Sequence, residues 1–190
     1  MNQRTIAIAS LVALACVVIG GVLYVQINNS RQLQNASVAP VNAGATQGAK
    51  APTFSTPTTQ GPFDLATTDK PVFLEVFATW CPHCQRETSV INNLYGKYKK
   101  SVAFVAIPGS DTAMDHTSPE SLLDVLNFQT KFSVAYPIAI YDPSLTIAKQ
   151  YLKGGYPTIA IIDKSKTISY LNSGEIDFTE LDRELGKVIR

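Results

Sequence analysis

The sequence predicts an α/β domain, a mixed β-sheet with helices on both faces, preceded by an N-terminal transmembrane helix. Three patterns lead there. Val72–Phe77 is a short, continuous, β-rich apolar run of the kind a buried central strand requires. Strand-like and helix-like stretches then alternate as far as residue 151, which implies crossover connections over a sheet. Near the end, two β-rich runs, Thr158–Ile162 and Thr167–Leu171, flank the polar turn Asp163-Lys164-Ser165-Lys166, a hairpin signature, and a last helix follows.

Thr5 to Ile27 carries no charge over 23 residues. At ~1.5 Å per residue a helix of that length reaches about 34 Å, enough for a ~30 Å hydrocarbon core. A cleavable signal has a shorter apolar region with a small-residue site close behind it. The nearest such site, Val41-Asn42-Ala43, is distant, so residues 1–27 read as an uncleaved anchor. Cys16 lies inside this run behind Ala13-Leu14-Ala15, a poor lipoprotein box, and reads as an apolar residue of the span. Arg4 and the amino terminus on one flank, against Arg31 on the other, give a slight bias towards a cytoplasmic N-terminus. Residues 28–50 are rich in Asn, Ala, Gln, Ser and Gly and hold no aromatic residue, so they are expected to form a flexible linker.

Residues 51–190 form the predicted folded domain. After the Val72–Phe77 strand, Val90, Ile91, Leu94, Tyr95 and Tyr98 recur at helical spacing. Val102–Ile107 is the next strand. Ser118-Pro119, with Thr117 and Glu120 at capping-box spacing, announces a second helix whose apolar face would be Leu122, Val125, Leu126 and Phe132. Pro137–Tyr141 reads as a short strand and Leu145–Tyr151 as a short helix. The final helix opens at Asp177, with Glu180 three residues on, and presents Phe178, Leu181, Leu185 and Val188.

The formal charge of +1 gives no reason to expect nucleic acid as a partner. Residues 1–50 hold no acid, so the domain carries 13 of the 16 basic residues against all 15 acids. Three cysteines cannot build a disulfide scaffold, and two close thiols with two histidines in the whole chain fall short of a structural zinc site. No metal and no cofactor are expected.

The chemistry points to Cys81-Pro82-His83-Cys84, at the junction of the Val72–Phe77 strand and the helix after it. A helix that starts near Cys81 offers its sulfur unpaired N–H groups and the positive end of the macrodipole. That favours the thiolate, the form that attacks a disulfide. Two intervening residues leave Cys84 within reach to resolve the mixed disulfide. His83, if protonated or donating near Cys81, stabilises the thiolate further, and a more stable reduced form is a stronger oxidant. Pro82 suits the first helical turn. The alternatives are a metal half-site or two incidental thiols.

Phe77-Ala78-Thr79-Trp80-Cys81-Pro82-His83-Cys84 resembles the active-site segment of the thioredoxin superfamily, particularly its TlpA/ResA-like membrane-anchored branch. Ala51-Pro52-Thr53-Phe54 is similar to that branch's domain opening, and Gly154-Gly155-Tyr156-Pro157-Thr158 to the stretch around its cis-proline. Residues 108–140 match the branch's inserted helix and strand. The resemblance implies a thioredoxin-like fold in which Cys81 attacks, Cys84 resolves, and Pro157 is the cis-proline that sets the Tyr156 backbone beside the sulfurs. Trp80, Pro82, Tyr156 and Thr158 would then contact substrate. Glu75, six residues before Cys81, falls where thioredoxins keep a buried acid. Desolvation raises the pKa of such a carboxyl and fits it to take the proton of Cys84; a solvated side chain at a strand edge is the other reading. Glu87 matches an acid near the active site of ResA-like proteins and equally suits plain complementation of the helix dipole.

The implied partners are cysteine-containing substrate proteins and a thiol redox partner that recharges the dithiol, outside the cytoplasm at the membrane. Members of this branch are reductants, whereas Pro-His between the cysteines is the pair of DsbA-type oxidants, so the direction of electron flow stays open, leaning to the reductase. A copper- or haem-handling dithiol protein is the alternative from another class. His116, with Asp111 and Asp115, reads as a polar surface loop rather than a metal site.

Overall fold

The structure, a computed structural model, describes residues 44–190. The expected membrane anchor, Cys16, Arg31 and the linker as far as residue 43 lie outside them. Among the described residues no helix is long and apolar enough to cross a membrane.

Among the described residues ten elements follow one another. They are β1 (Ser55–Thr58), β2 (Gly61–Asp64), β3 (Val72–Phe77), α1 (Pro82–Tyr98), β4 (Ala103–Pro108), α2 (Leu122–Lys131), α3 (Thr146–Tyr151), β5 (Thr158–Ile162), β6 (Ile168–Ser173) and α4 (Phe178–Val188). β1 and β2 form a separate two-stranded hairpin that no sequence pattern announced. The main sheet has the order β4-β3-β5-β6, with β3 and β4 parallel and the other pairs antiparallel. It is the mixed sheet expected from a βαβ unit followed by a hairpin.

β3 is buried along its whole length, and its two-residue period divides the core. Phe73 and Phe77 pack on one face with Ile91 and Leu94 of α1, Val125 and Phe128 of α2, and Leu181 and Leu185 of α4. Val72, Leu74 and Val76 pack on the other with Leu65, Val105, Ile107 and Tyr151. Glu75 therefore points to the α1 side, into apolar surroundings.

Several expectations change in detail. Residues 44–50, expected to belong to the flexible linker, are docked on the domain. Ala45 N donates to Gln150 O at 2.6 Å, Gly48 N to Ile168 O at 2.8 Å, and Lys50 pairs with Thr167. Backbone groups completing a sheet edge need no apolar side chains, so composition does not reveal this contact. Helix α2 starts later than Thr117: Ser121 is its cap, accepting from Asp124 N at 3.3 Å. It buries Val125 and Phe128 and leaves Leu122 and Leu126 exposed, so the apolar face lies to one side of the expected one. The stretch Pro137–Tyr141 forms single bridges to β4 and β1 rather than a regular strand, and Pro137 has no N–H to continue a ladder. The last helix opens as expected, with Asp177 accepting from Glu180 N at 2.9 Å, although Phe178 stays exposed.

Candidate active site

Cys81 is the N-cap of α1, in extended conformation, and Pro82 stands at the helix start. The strand-to-helix junction thus delivers the first cysteine to the helix N-terminus, where unpaired N–H groups favour an anion. Cys84 lies one turn later on the inner face. Both thiols are free; Cys81 is 3% exposed and Cys84 fully buried. Burial, followed by the charge of Glu75, pushes the Cys84 thiol far above its ordinary value. It needs a base to react.

Glu75, on the strand leading to the thiols, is near enough for its charge to act on Cys84. Its side chain is 2% exposed, and Tyr136 donates to its Oε2 at 3.1 Å. Burial pushes its carboxyl up to about 8; the Tyr136 bond opposes the rise and the Glu87 charge adds to it. The solvated strand-edge reading of Glu75 is thereby set aside. A carboxyl with this affinity exchanges protons near neutral pH, as an acid–base group should.

Glu87 is buried as well and accepts from Ile176 N at 3.3 and 3.2 Å through its two oxygens. Burial raises it to about 7, against the Ile176 bond. It faces the interior of the fold, so plain dipole complementation at the helix surface does not describe it.

Opposite the thiols, the Tyr156–Pro157 peptide is cis, and the Cys81 thiol faces the Tyr156 carbonyl with Sγ···O of 3.6 Å. The Tyr156 ring stands edge-on to Trp80, 5.8 Å away, and its hydroxyl donates to Gly109 O. A Cβ on Gly109 would lie 2.6 Å from Val76 Cγ1 and 3.1 Å from Tyr156 Cε1, so a side chain there would displace Val76 and crowd the ring. Trp80 Nε1 donates to Ser110 Oγ at 2.8 Å. Trp80 and Tyr156 thus form a half-buried aromatic ledge next to Cys81, with Pro82 and His83 exposed beside it.

Two expected roles need correction. Thr158 is fully buried; its hydroxyl donates to Gly155 O at 2.7 Å and accepts from Lys153 N at 3.1 Å. It shapes the loop before Pro157 and is closed to substrate. His83 does not bond a sulfur among the described residues. Its Nδ1 lies 2.6 Å from Glu175 Oε1 and 2.8 Å from Arg86 Nη2.

Sequence reasoning missed Tyr136, Arg86 and Glu175, and placed Glu120 in a helix cap. Only Arg86 carried a signal, at helical i, i+3 spacing from His83. Glu120, expected as the third residue of a capping box, is buried instead and receives the Thr79 hydroxyl at 2.5 Å. It ties the loop before α2 to the residue preceding Trp80. Among the described residues, no cluster of three or more His, Cys, Asp or Glu side chains could hold a metal ion. Asp115 accepts from Thr117 N, Ser118 N and Ser118 Oγ, and the His116 ring lies 5.6 Å from Trp80.

The Redoxin family model matches residues 46–185. Thiol-disulfide oxidoreductase ResA of Bacillus cereus (strain ZK / E33L) is 32% identical over 120 residues, which is 63% of this chain and 64% of that protein. The chain thus matches just under two thirds of that relative's length. Thioredoxin-like protein YneN of Bacillus subtilis is 28% identical over 145 residues, 75% of this chain and 80% of that one. Among solved structures, a thiol:disulfide interchange protein of the thioredoxin family from Chlorobium tepidum superposes with a TM-score of 0.58 at 26% identity. The match covers 76% of this chain and 99% of that one. StoA from Bacillus subtilis gives 0.58 at 19% identity, over 72% of this chain and 98% of that one, and shares the fold.

Proposed function

The chain belongs to the Redoxin family, and on that premise we propose that it is a thiol–disulfide oxidoreductase acting on cysteines of substrate proteins, as a reductase of TlpA/ResA type. One observation carries the reading: Cys81 at a helix N-terminus faces the Tyr156 carbonyl, while Cys84, one turn later, and the Glu75 carboxyl are both buried behind it. The thiolate of Cys81 attacks a substrate disulfide, forming a mixed disulfide and releasing one substrate thiolate. Glu75 takes the proton of Cys84, whose sulfur then attacks Cys81 Sγ and releases the second substrate thiolate. Two electrons pass to the substrate, its thiolates take up protons from solvent, and Cys81–Cys84 is left as a disulfide for a redox partner to reduce. The names of the ResA relatives agree with this chemistry.

Pro82-His83 favours a second reading, an oxidant that introduces disulfides. The reduction potential against glutathione separates the two. A value well below −200 mV is expected; one near −120 mV, the DsbA region, overturns the reductase.

The uncharged Thr5–Ile27 stretch supports a further part of the proposal, a single-pass anchor with a cytoplasmic N-terminus and an extracytoplasmic domain. The full chain is expected to stay with membranes in alkaline carbonate and to be digested by protease added to intact spheroplasts. Release by carbonate, or protection from the protease, overturns it.

A further inference from the structure

Glu175 belongs to no sequence motif, yet its carboxylate meets the dipeptide between the two cysteines. One oxygen, Oε1, lies 2.6 Å from His83 Nδ1 and 2.7 Å from Arg86 Nε, and Arg86 Nη2 donates to the same atom. The loop that carries it is fixed from both sides. Gly174, with φ of 92°, donates its N–H to Pro157 O at 2.8 Å, and Ile176 N is bound by Glu87. The carboxylate therefore stands at a set place between the proline loop and α1.

This arrangement decides what His83 can do. A protonated Nδ1 has a carboxylate as its acceptor, and an unprotonated one has the Arg86 guanidinium as its donor. In either state that nitrogen is committed away from the sulfurs, and the Cys81 thiol turns to the Tyr156 carbonyl instead. Arg86 and then His83 hold the Glu175 carboxyl below the usual carboxylate range, so the carboxylate stays charged to keep them.

We propose that Glu175, assisted by Arg86, is a positioning residue that holds the His83 imidazole off the Cys81 thiolate and so withholds the oxidising effect of the Pro-His dipeptide. The proposal rests on the redox reading above. It accounts for an oxidant-like dipeptide within a ResA-like domain. With Glu175 removed, His83 is free to stabilise the thiolate, the reduced form gains, and the potential rises.

The test is a double-mutant cycle in the full chain, with Glu175→Gln and His83→Ala singly and together, read as the equilibrium constant with glutathione and the thiolate titration at 240 nm. Glu175→Gln is expected to shift the equilibrium towards the dithiol by roughly three- to tenfold, tenfold being 29.6 mV, with a parallel fall in the Cys81 titration midpoint. In the His83→Ala background the same change is expected to do less than about twofold, and Glu175→Asp is expected to restore the wild-type value. No shift in the His83 chain overturns the proposal. An equal shift with and without His83 also overturns it, since Glu175 then acts only as a nearby charge. A wild-type dithiol that neither equilibrates with glutathione nor reduces insulin sinks the redox reading itself, and this proposal with it.

Discussion

Full-length protein carrying Cys84→Ser is expected to accumulate covalent adducts with substrate proteins through Cys81, visible as bands that collapse on reduction. Cys81→Ser is expected to form none and to retain about a thousandth or less of wild-type exchange, since the covalent nucleophile is gone. The asymmetry follows from where the fold puts each sulfur. Cys81 caps α1 and its sulfur faces the Tyr156 carbonyl of the proline loop. Cys84 is sealed inside with its thiol pushed far up, and can act only on a sulfur already delivered to Cys81. Trapping by Cys81→Ser and not by Cys84→Ser would reverse the assignment of attacking and resolving cysteines. Trapping by neither would count against the enzyme.

Glu75 carries the second large effect, on rate and on stability. Glu75→Gln removes the proton acceptor and is expected to slow resolution by roughly a hundredfold, the low end for a positioned acid–base group. The stability effect has a definite sign. In the folded domain the carboxyl is raised from 4.5 to about 8, so the folded state keeps a proton that the unfolded chain has released. That contribution is fully present below the unfolded value and is lost as pH rises through about 8. Glu87, raised to about 7, acts in the same direction. At about 1.4 kcal/mol for each pH unit between ordinary and raised values, Glu75 costs on the order of 2–5 kcal/mol between pH 5 and 8.5. The wild-type melting temperature is expected to fall over that range by several degrees, at roughly 2–4 °C per kcal/mol, and that of Glu75→Gln to fall less. A melting temperature that rises with pH, or an identical fall in the variant, would mean that Glu75 is not held neutral by burial.

The elements legible in the sequence share a property: their determinants lie within a few residues of one another. The apolar run of β3, the Asp177–Glu180 cap of α4, the hairpin turn at 163–166 and the Cys-x-x-Cys at a strand-to-helix junction are all local patterns. The β1–β2 hairpin escaped because its residues, Ser-Thr-Pro-Thr and Gly-Pro-Phe-Asp, show no alternation, and the paired backbone carries the structure. The docking of residues 44–50 escaped for the same reason. Leu122 and Leu126 misled because an apolar periodicity does not say which side of a helix meets the core.

The sequence by itself determined the dithiol at Cys81 and Cys84, its place at a helix start, and an acid on the strand leading to it. These depend on short-range geometry and on side-chain chemistry that no packing can change. Only the tertiary structure decided the surroundings of those groups. Tyr136 reaches Glu75 across 61 positions, Ile176 reaches Glu87 across 89, and Glu175 reaches His83 across 92. Contacts at such separations follow from how the sheet and helices close on one another, and they set the proton affinity of each acid and the partner of the histidine.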